Sequence, residues 1–303
     1  MAQSNFFDPV HFRRLVSRLT SPLTEKYIGL LAALPEDGHV VVALARDLID
    51  WASRDVLPLI DMSETRKVFL TAEWLDLVML NYEVDPGFLE KYVPTGTELD
   101  SFLGKTHVSL VGFRFCCTKL LGSLAVPLHS DFEEVNLRFY VRRKEGGENR
   151  RGVVFIAEIV PKQAVAATAR LIYGENYICL PMKHAVSIDG PKRTVKYQWQ
   201  VNNQWSQLTA DAIGPPQLPR NGSLEQFITE HYWGYSRQRN GDTVEYQVAH
   251  VPWRVWVSSA SGFEGGATDL YGGELGRIIQ VQPSSAFIAD GSPVTVFKGT
   301  RLS

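Results

Sequence analysis

Between Asp131 and Arg143 the chain reads DFEEVNLRFYVRR. Taken at every second residue, Glu134, Asn136, Arg138, Tyr140 and Arg142 fall on one side, and Val135, Leu137, Phe139 and Val141 on the other. That alternation is the signature of a strand. A carboxylate on such a face can hold or move a proton, and a guanidinium fork suits a carboxylate ligand. Two readings follow. In one, this is an edge strand with a wet face, where Glu134 and Arg138 form a surface pair worth ~0–1 kcal/mol. In the other, the polar side points inward, with Glu134 as a general acid/base or orienting carboxylate and Arg138 as the binder of a carboxylate. On these residues alone the wet face is the stronger reading, because charged side chains mostly lie outside.

His250, in AHVPWRVW, could shuttle protons near neutral pH or be a hydrogen-bonded structural histidine. His231, in EHYWGY, reads as core packing on a helix, and His107 and His129 have no metal-ligand partner at a recognisable spacing. HExxH is missing, so no metal site is expected. G-x-S-x-G and cysteine-nucleophile signatures are missing too. The glycine-rich stretch Gly262–Gly276 fits neither a P-loop nor a dinucleotide fingerprint, so it reads as a flexible loop, a lid at most, and no cofactor is expected.

These residues need elements to hold them. Residues 1–65 carry helical periodicity in three short segments joined by Pro-containing turns, such as DPVHFRRLVSRL and SPLTEKYIGLLAAL. They read as a helical N-terminal extension serving as a cap or an oligomerisation element. From residue 66 to 303 the pattern is mostly strand. PGFLEKYVP gives one or two helical turns and THVSLVGFRFCCTKLL a strand. EVNLRFYVRR and GVVFIAEIV flank KEGGEN as a hairpin. AVAATARLIYG is a helix closed by Gly174, and SLEQFITEHYWGYS a helix with a serine cap. YICLPMKHAVSI, RTVKYQWQV, DTVEYQVAHVPWRVWVS and RIIQVQP read as further strands. The expected fold is α+β and mostly β, an antiparallel or mixed sheet curled into a barrel.

Composition narrows the class. With 303 residues, 45% hydrophobic and 21% charged, the chain is globular. A net charge of −2 and basic patches confined to a Gly-Gly hairpin end argue against nucleic acid as a partner. Three cysteines, Cys116, Cys117 and Cys179, fit a reducing compartment better than a disulfide framework. No signal-peptide pattern and no membrane-length apolar run is visible, so a cytoplasmic location is expected.

Several pieces, in order, carry a resemblance: AEWLDLVMLNYEVDPGFLEKYVP, FEEVNLRFYVRR, GVVFIAEIV, TARLIYGENY, LEQFITEHYWGYS and HVPW. The series resembles the family called domain of unknown function 2071, related to the acetoacetate decarboxylase-like superfamily, over roughly residues 70–260. Its most specific pieces are Phe132-x-Glu134-x-Asn136-x-Arg138-x-Tyr140-Val141 and His250-x-Pro252-Trp253. The resemblance implies a cone-shaped β-barrel with a central cavity, which turns the strand's polar face inward. Acetoacetate decarboxylase uses a Schiff-base lysine. Here the corresponding region falls near Asn176-Tyr177-Ile178, with Arg170 matching an arginine, Lys162 too early and Lys183 a few residues late. Schiff-base decarboxylation is therefore not expected.

The resulting expectation is a cavity for a small molecule bearing a carbonyl or carboxylate. Glu134 and His250 are the candidate proton-transfer groups, and Asn136, Arg138, Tyr140 and Tyr177 the candidate ligand-binding residues. An enzyme and a non-catalytic binding or interaction module, self-associating through residues 1–65, both stand. So does a structural Glu134–Arg138 pair inside the barrel.

Overall fold

The computed structural model describes residues 67–122, 124–125 and 129–302. The helical extension expected over residues 1–65, and the boundary after it, lie outside these residues.

The described chain is built mainly from strands, several of them long. β1 (Val68–Val84) is followed by two 3₁₀ turns, Pro86–Phe88 and Glu90–Tyr92, then by β2 (Glu98–Leu99), β3 (Thr106–Leu120) and β4 (Leu124–Ala125). β5 (Phe132–Glu145) and β6 (Glu148–Val160) form the expected hairpin. Its turn places both Gly146 and Gly147 at positive φ, 56° and 86°, which the twist of a two-residue hairpin favours. Helix α1 (Gln163–Tyr173) ends on Gly174 at φ 67°, its N–H bonded to the Arg170 carbonyl. β7 (Tyr177–Cys179), β8 (Met182–Asp189), β9 (Lys192–Val201) and β10 (Gln204–Ile213) follow. Helix α2 (Leu224–Thr229) starts on Ser223, whose hydroxyl accepts from the Gln226 N–H. Then come β11 (Trp233–Arg237), β12 (Thr243–His250), β13 (Val255–Glu264), helices α3 (Thr268–Tyr271) and α4 (Gly273–Ile279), β14 (Ser285–Phe297) and β15 (Thr300–Arg301).

Hydrogen bonding runs β12-β11-β6-β5-β3-β1-β14, and β14 pairs back onto β12 at Val248–His250, closing a ring of seven strands. β13 leaves β14 and carries β10, β9 and β8 as a second layer. Alternate residues therefore feed two cores. Val135, Leu137 and Phe139 pack outward with Val195, Tyr197 and Trp199 of the second layer and with Tyr271, Leu275 and Ile279. Tyr140, Met79, Val111, Phe113, Tyr177, Phe227, Trp253 and Phe287 pack inside the ring.

Five sequence expectations are corrected. YICLPMKHAVSI is two strands broken at Leu180–Pro181, and DTVEYQVAHVPWRVWVS is broken at residues 251–254, since Pro cannot continue a ladder. RIIQVQP is not a strand: Arg277–Ile279 ends α4, where Leu275 and Ile279, four apart, are both buried. Gly262–Gly276 is not a loose lid but the end of β13 plus two helices, and Gly276 lets the α3 backbone approach at Thr268. The basic hairpin end is not simply solvated. Arg150 pairs with buried Glu245 at 2.7 Å, Arg143 with the same carboxylate at 3.4 Å, and Arg151 with buried Asp100 at 2.7 Å.

Candidate functional site

One register row crosses the ring through Phe287, Met79, Val111, Asn136, Glu158 and Tyr177, on β14, β1, β3, β5, β6 and β7. The row begins apolar and ends polar. One step along, Arg138 lies between Ser109 and Phe155. A bulge in β6 at Ile156, where Leu137 faces Ala157 but Arg138 faces Phe155, keeps both Glu158 and Phe155 on the inner side. The strand face carrying Glu134, Asn136, Arg138 and Tyr140 thus points inward, and all four are buried. Arg142, beyond it, pairs with Glu98 at the surface.

Glu134 is the centre of a hydrogen-bonded group. The Asn136 amide donates to its Oε1 at 3.0 Å and the Tyr177 hydroxyl to its Oε2 at 3.1 Å. Tyr177 is itself anchored by its carbonyl, which accepts from the Arg170 Nε at 2.7 Å. Glu158 is buried beside them with its Oε2 unpartnered among the described residues, and the Tyr246 hydroxyl donates to Glu175 Oε1 at 2.6 Å. Burial pushes the Glu134 carboxyl up to about 7, against the pull of its Asn136 and Tyr177 bonds. Burial, with Glu175 and Glu134 nearby, drives Glu158 well above the ordinary carboxylate range, and burial raises Glu175 as well. At neutral pH this group holds protons that exposed carboxylates would have lost.

Arg138 is 8% exposed, yet among the described residues no carboxylate lies within ion-pair distance of it. Its guanidinium donates to the Ile228 carbonyl at 3.4 Å, lies 4.0 Å from the Met79 sulfur, and leaves its Nε without a partner. The expected alternative of a structural Glu134–Arg138 pair is therefore not what the side chains do. Tyr140 is held away from the carboxylates. Its hydroxyl is 2.6 Å from Ser109 Oγ, which donates to Asn81, and its ring packs on Phe227 and His231.

His250 is half-buried and stacks between Tyr232 and Trp253, with centroids at 4.8 and 4.2 Å. Its Nδ1 bonds the Val251 carbonyl at 2.9 Å. Burial lowers its proton affinity, and the Arg138 charge lowers it further. His250 makes no bond to Glu134. His231 is buried, as expected for a core residue, but lies just past α2 rather than on it. Its nearest carboxylate oxygen, on Asp100, is 3.8 Å away, and burial pushes its pKa down to about 4. Lys183 is exposed on the second layer with its ammonium 4.1 Å from the Trp205 ring centre. Among the described residues no lysine is buried.

Sequence reasoning missed Glu158, Glu175 and Tyr246. Glu158 had a signal: it is the one charge in the apolar run GVVFIAEIV. Glu175 follows a helix-capping glycine and reads as loop polarity, and its role depends on Tyr246, 71 residues on.

Comparison with known proteins places these features. The family model of domain of unknown function 2071, described as an uncharacterized conserved protein, matches residues 71–293. The uncharacterized protein YqjF of Bacillus subtilis (strain 168) is 25% identical over 202 residues, covering 66% of this chain and 80% of that one. Among solved structures, acetoacetate decarboxylase from Legionella pneumophila matches with a TM-score of 0.56 at 15% identity, covering 83% of this chain and 94% of the other. The enduracididine biosynthesis enzyme MppR complexed with pyruvate matches with a TM-score of 0.57 at 15% identity, over 81% and 95%. Identities this low carry the fold alone. Among the described residues no helix is long and apolar enough to cross a membrane.

Proposed function

Because the chain belongs to the domain of unknown function 2071 family and has the acetoacetate decarboxylase-like fold, we propose that its ring interior binds a small carboxylate, and that Glu134 exchanges a proton with it. The observation that carries this reading is Arg138. A buried guanidinium without an anionic partner is costly, and a ligand carboxylate meeting its fork would remove that cost. MppR, the same fold, is known complexed with pyruvate, a molecule of this class. Asn136 and Tyr177 hold the Glu134 carboxyl in place, and a carboxyl titrating at about 7 can both accept and return a proton at neutral pH. His250, half-buried near the Arg138 charge and disfavoured as a cation, serves as a neutral hydrogen-bonding group at the site rather than a second charge. Tyr140 positions the wall.

A Schiff base has no support: Tyr177 stands where the resemblance would put the lysine, and Lys183 lies outside the ring on Trp205. The chemistry that fits is removal of a proton from the carbon next to a ketone. The C–H pair forms an enolate, the proton rests on Glu134, and its return restores the ketone.

Two readouts test the reading. Pyruvate and acetoacetate should raise the melting temperature in a saturable way, acetone and pyruvamide should not, and R138M should abolish the shift. In D₂O the methyl proton signal of pyruvate should fade faster with protein than without, and E134Q should bind without exchanging. Stabilisation without exchange would leave a binding protein and remove the proton-transfer role. No stabilisation by any small carboxylate would sink the whole reading.

A further inference from the structure

We propose that two copies of this chain pair through the free edge of β8, which joins their second layers into one continuous sheet. β8 is the last strand of the path β13-β10-β9-β8, and everything from Lys183 to Asp189 is exposed. Unpaired edges of this length are templates for another strand. Between Lys183 and Asp189 the edge reads His184-Ala185-Val186-Ser187-Ile188, with Val186 and Ile188 exposed and the His184 Nδ1 held 2.7 Å from Glu133 Oε1.

The backbone fixes which residues are free to bond. The Gln200 N–H bonds the Pro181 carbonyl at 3.0 Å, so Pro181 and Gln200 occupy a hydrogen-bonded site of the β8–β9 ladder. Antiparallel pairing alternates such sites, and the register continues through Lys183↔Gln198 and Ala185↔Lys196. Odd residues therefore bond β9, and Met182, His184, Val186 and Ile188 turn their N–H and C=O groups outward.

A second copy must place its own even residues opposite these. Two-fold antiparallel pairing allows centres on Ala185, Val186 or Ser187. Centring on Ala185 sets Lys183 against Ser187, and centring on Ser187 sets it against Pro191. Only the Val186 centre sets Lys183 of one copy against Asp189 of the other, twice by symmetry. It also brings Val186 against Val186 and His184 against Ile188 on one face. Among the described residues neither Lys183 nor Asp189 has an ion-pair partner; the Lys183 ammonium rests on Trp205. The charges that keep this edge soluble in the monomer are thus complementary in this one register. The partner is a second copy because the strand is complementary to itself.

The test is sedimentation of the full chain over a concentration series. Wild type should be a dimer. Val186→Pro removes an outward N–H while leaving the β8–β9 bonds intact, and should weaken the dimer at least about a hundredfold. Lys183→Asp or Asp189→Lys alone turns both cross-pairs repulsive and should cost about tenfold, while the double exchange should restore wild-type association. Circular dichroism confirms that each variant is folded. A wild-type monomer at about 100 µM, a dimer indifferent to Val186→Pro, or a double exchange no better than the singles would each overturn the proposal.

Discussion

Replacing Arg138 by methionine should make the ligand-free protein more stable. Arg138 is 8% exposed, and among the described residues its only neighbouring acceptors are the Ile228 carbonyl at 3.4 Å and the Met79 sulfur at 4.0 Å. Charge-assisted bonds are normally ~2.7–2.9 Å long, so neither contact offsets the loss of water from a full charge. Methionine would keep most of the stem's volume against Met79 and Ile228 and add no charge. Exchanging buried ionic groups for apolar ones of similar size can gain ~1–4 kcal/mol, and the weak Ile228 bond argues for the lower part, about 1–3 kcal/mol. At ~2–4 °C per kcal/mol for larger domains, the melting temperature should rise by about 2–12 °C. Urea unfolding and calorimetry without added ligand measure this directly. The stabilisation by pyruvate should vanish in the same variant. If R138M is instead less stable by more than about 1 kcal/mol, Arg138 is a structural residue and the inferred carboxylate site loses its foundation.

The pH dependence of E134Q isolates the raised carboxyl. A carboxyl at about 7 in the fold and near 4.5 when unfolded contributes stability below about 4.5, and that contribution falls as pH rises to about 7. The stability of wild type relative to E134Q should thus drop by about 1 kcal/mol per pH unit across that window in urea titrations, then level off; a flat difference would mean the carboxyl titrates normally. Taking the difference also cancels His231, whose lowered pKa makes its own contribution disappear as pH falls from about 6.5 to 4. Gly234→Ala puts a methyl inside the Tyr246 ring, so we expect a loss of about 1–3 kcal/mol by calorimetry, together with weaker pyruvate binding because Tyr246 supports Glu175. Glu245→Ala takes from Arg150 its close carboxylate, leaving only Glu148 at 3.9 Å, leaves Arg143 with Glu145 alone, and removes the acceptor of the Tyr235 hydroxyl. It should cost about 3 kcal/mol in urea unfolding, whereas Glu98→Ala, which frees only exposed Arg142, should cost under about 1.

The sequence alone showed which face of β5 was polar but not that the face was enclosed. Alternation is local, whereas enclosure depends on β12 meeting β14, a contact between residues 248 and 296 that no periodicity announces. Taken alone, the residues favoured the wet-face reading. It failed for that reason, and the resemblance turned the strand inward. The β5–β6 hairpin and α1 were legible because Gly-Gly and Gly174 stand where positive φ is needed. α4 was missed because Ile278 and Ile279 are β-branched and its helical partner residues lie in a stretch dominated by glycine. Of the site, Glu134, Asn136 and Arg138 came from one strand and were visible together. Glu175 and Tyr246 become neighbours only through the ring.

β14 has a consequence for synthesis. It bonds to β1, β12 and β13, so the first long strand waits for a partner some 210 residues downstream, as in Val78 with Ile288. Contacts of such separation form late, since the loop entropy must be overcome first. Until residue 297 has left the ribosome, the ring stays open. Its carboxylates are then wet and ionised, and its edges on β1 and β12 are unpaired. The chain emerges as a charged, open sheet, and β14 converts it into a closed one whose interior carboxyls take up protons.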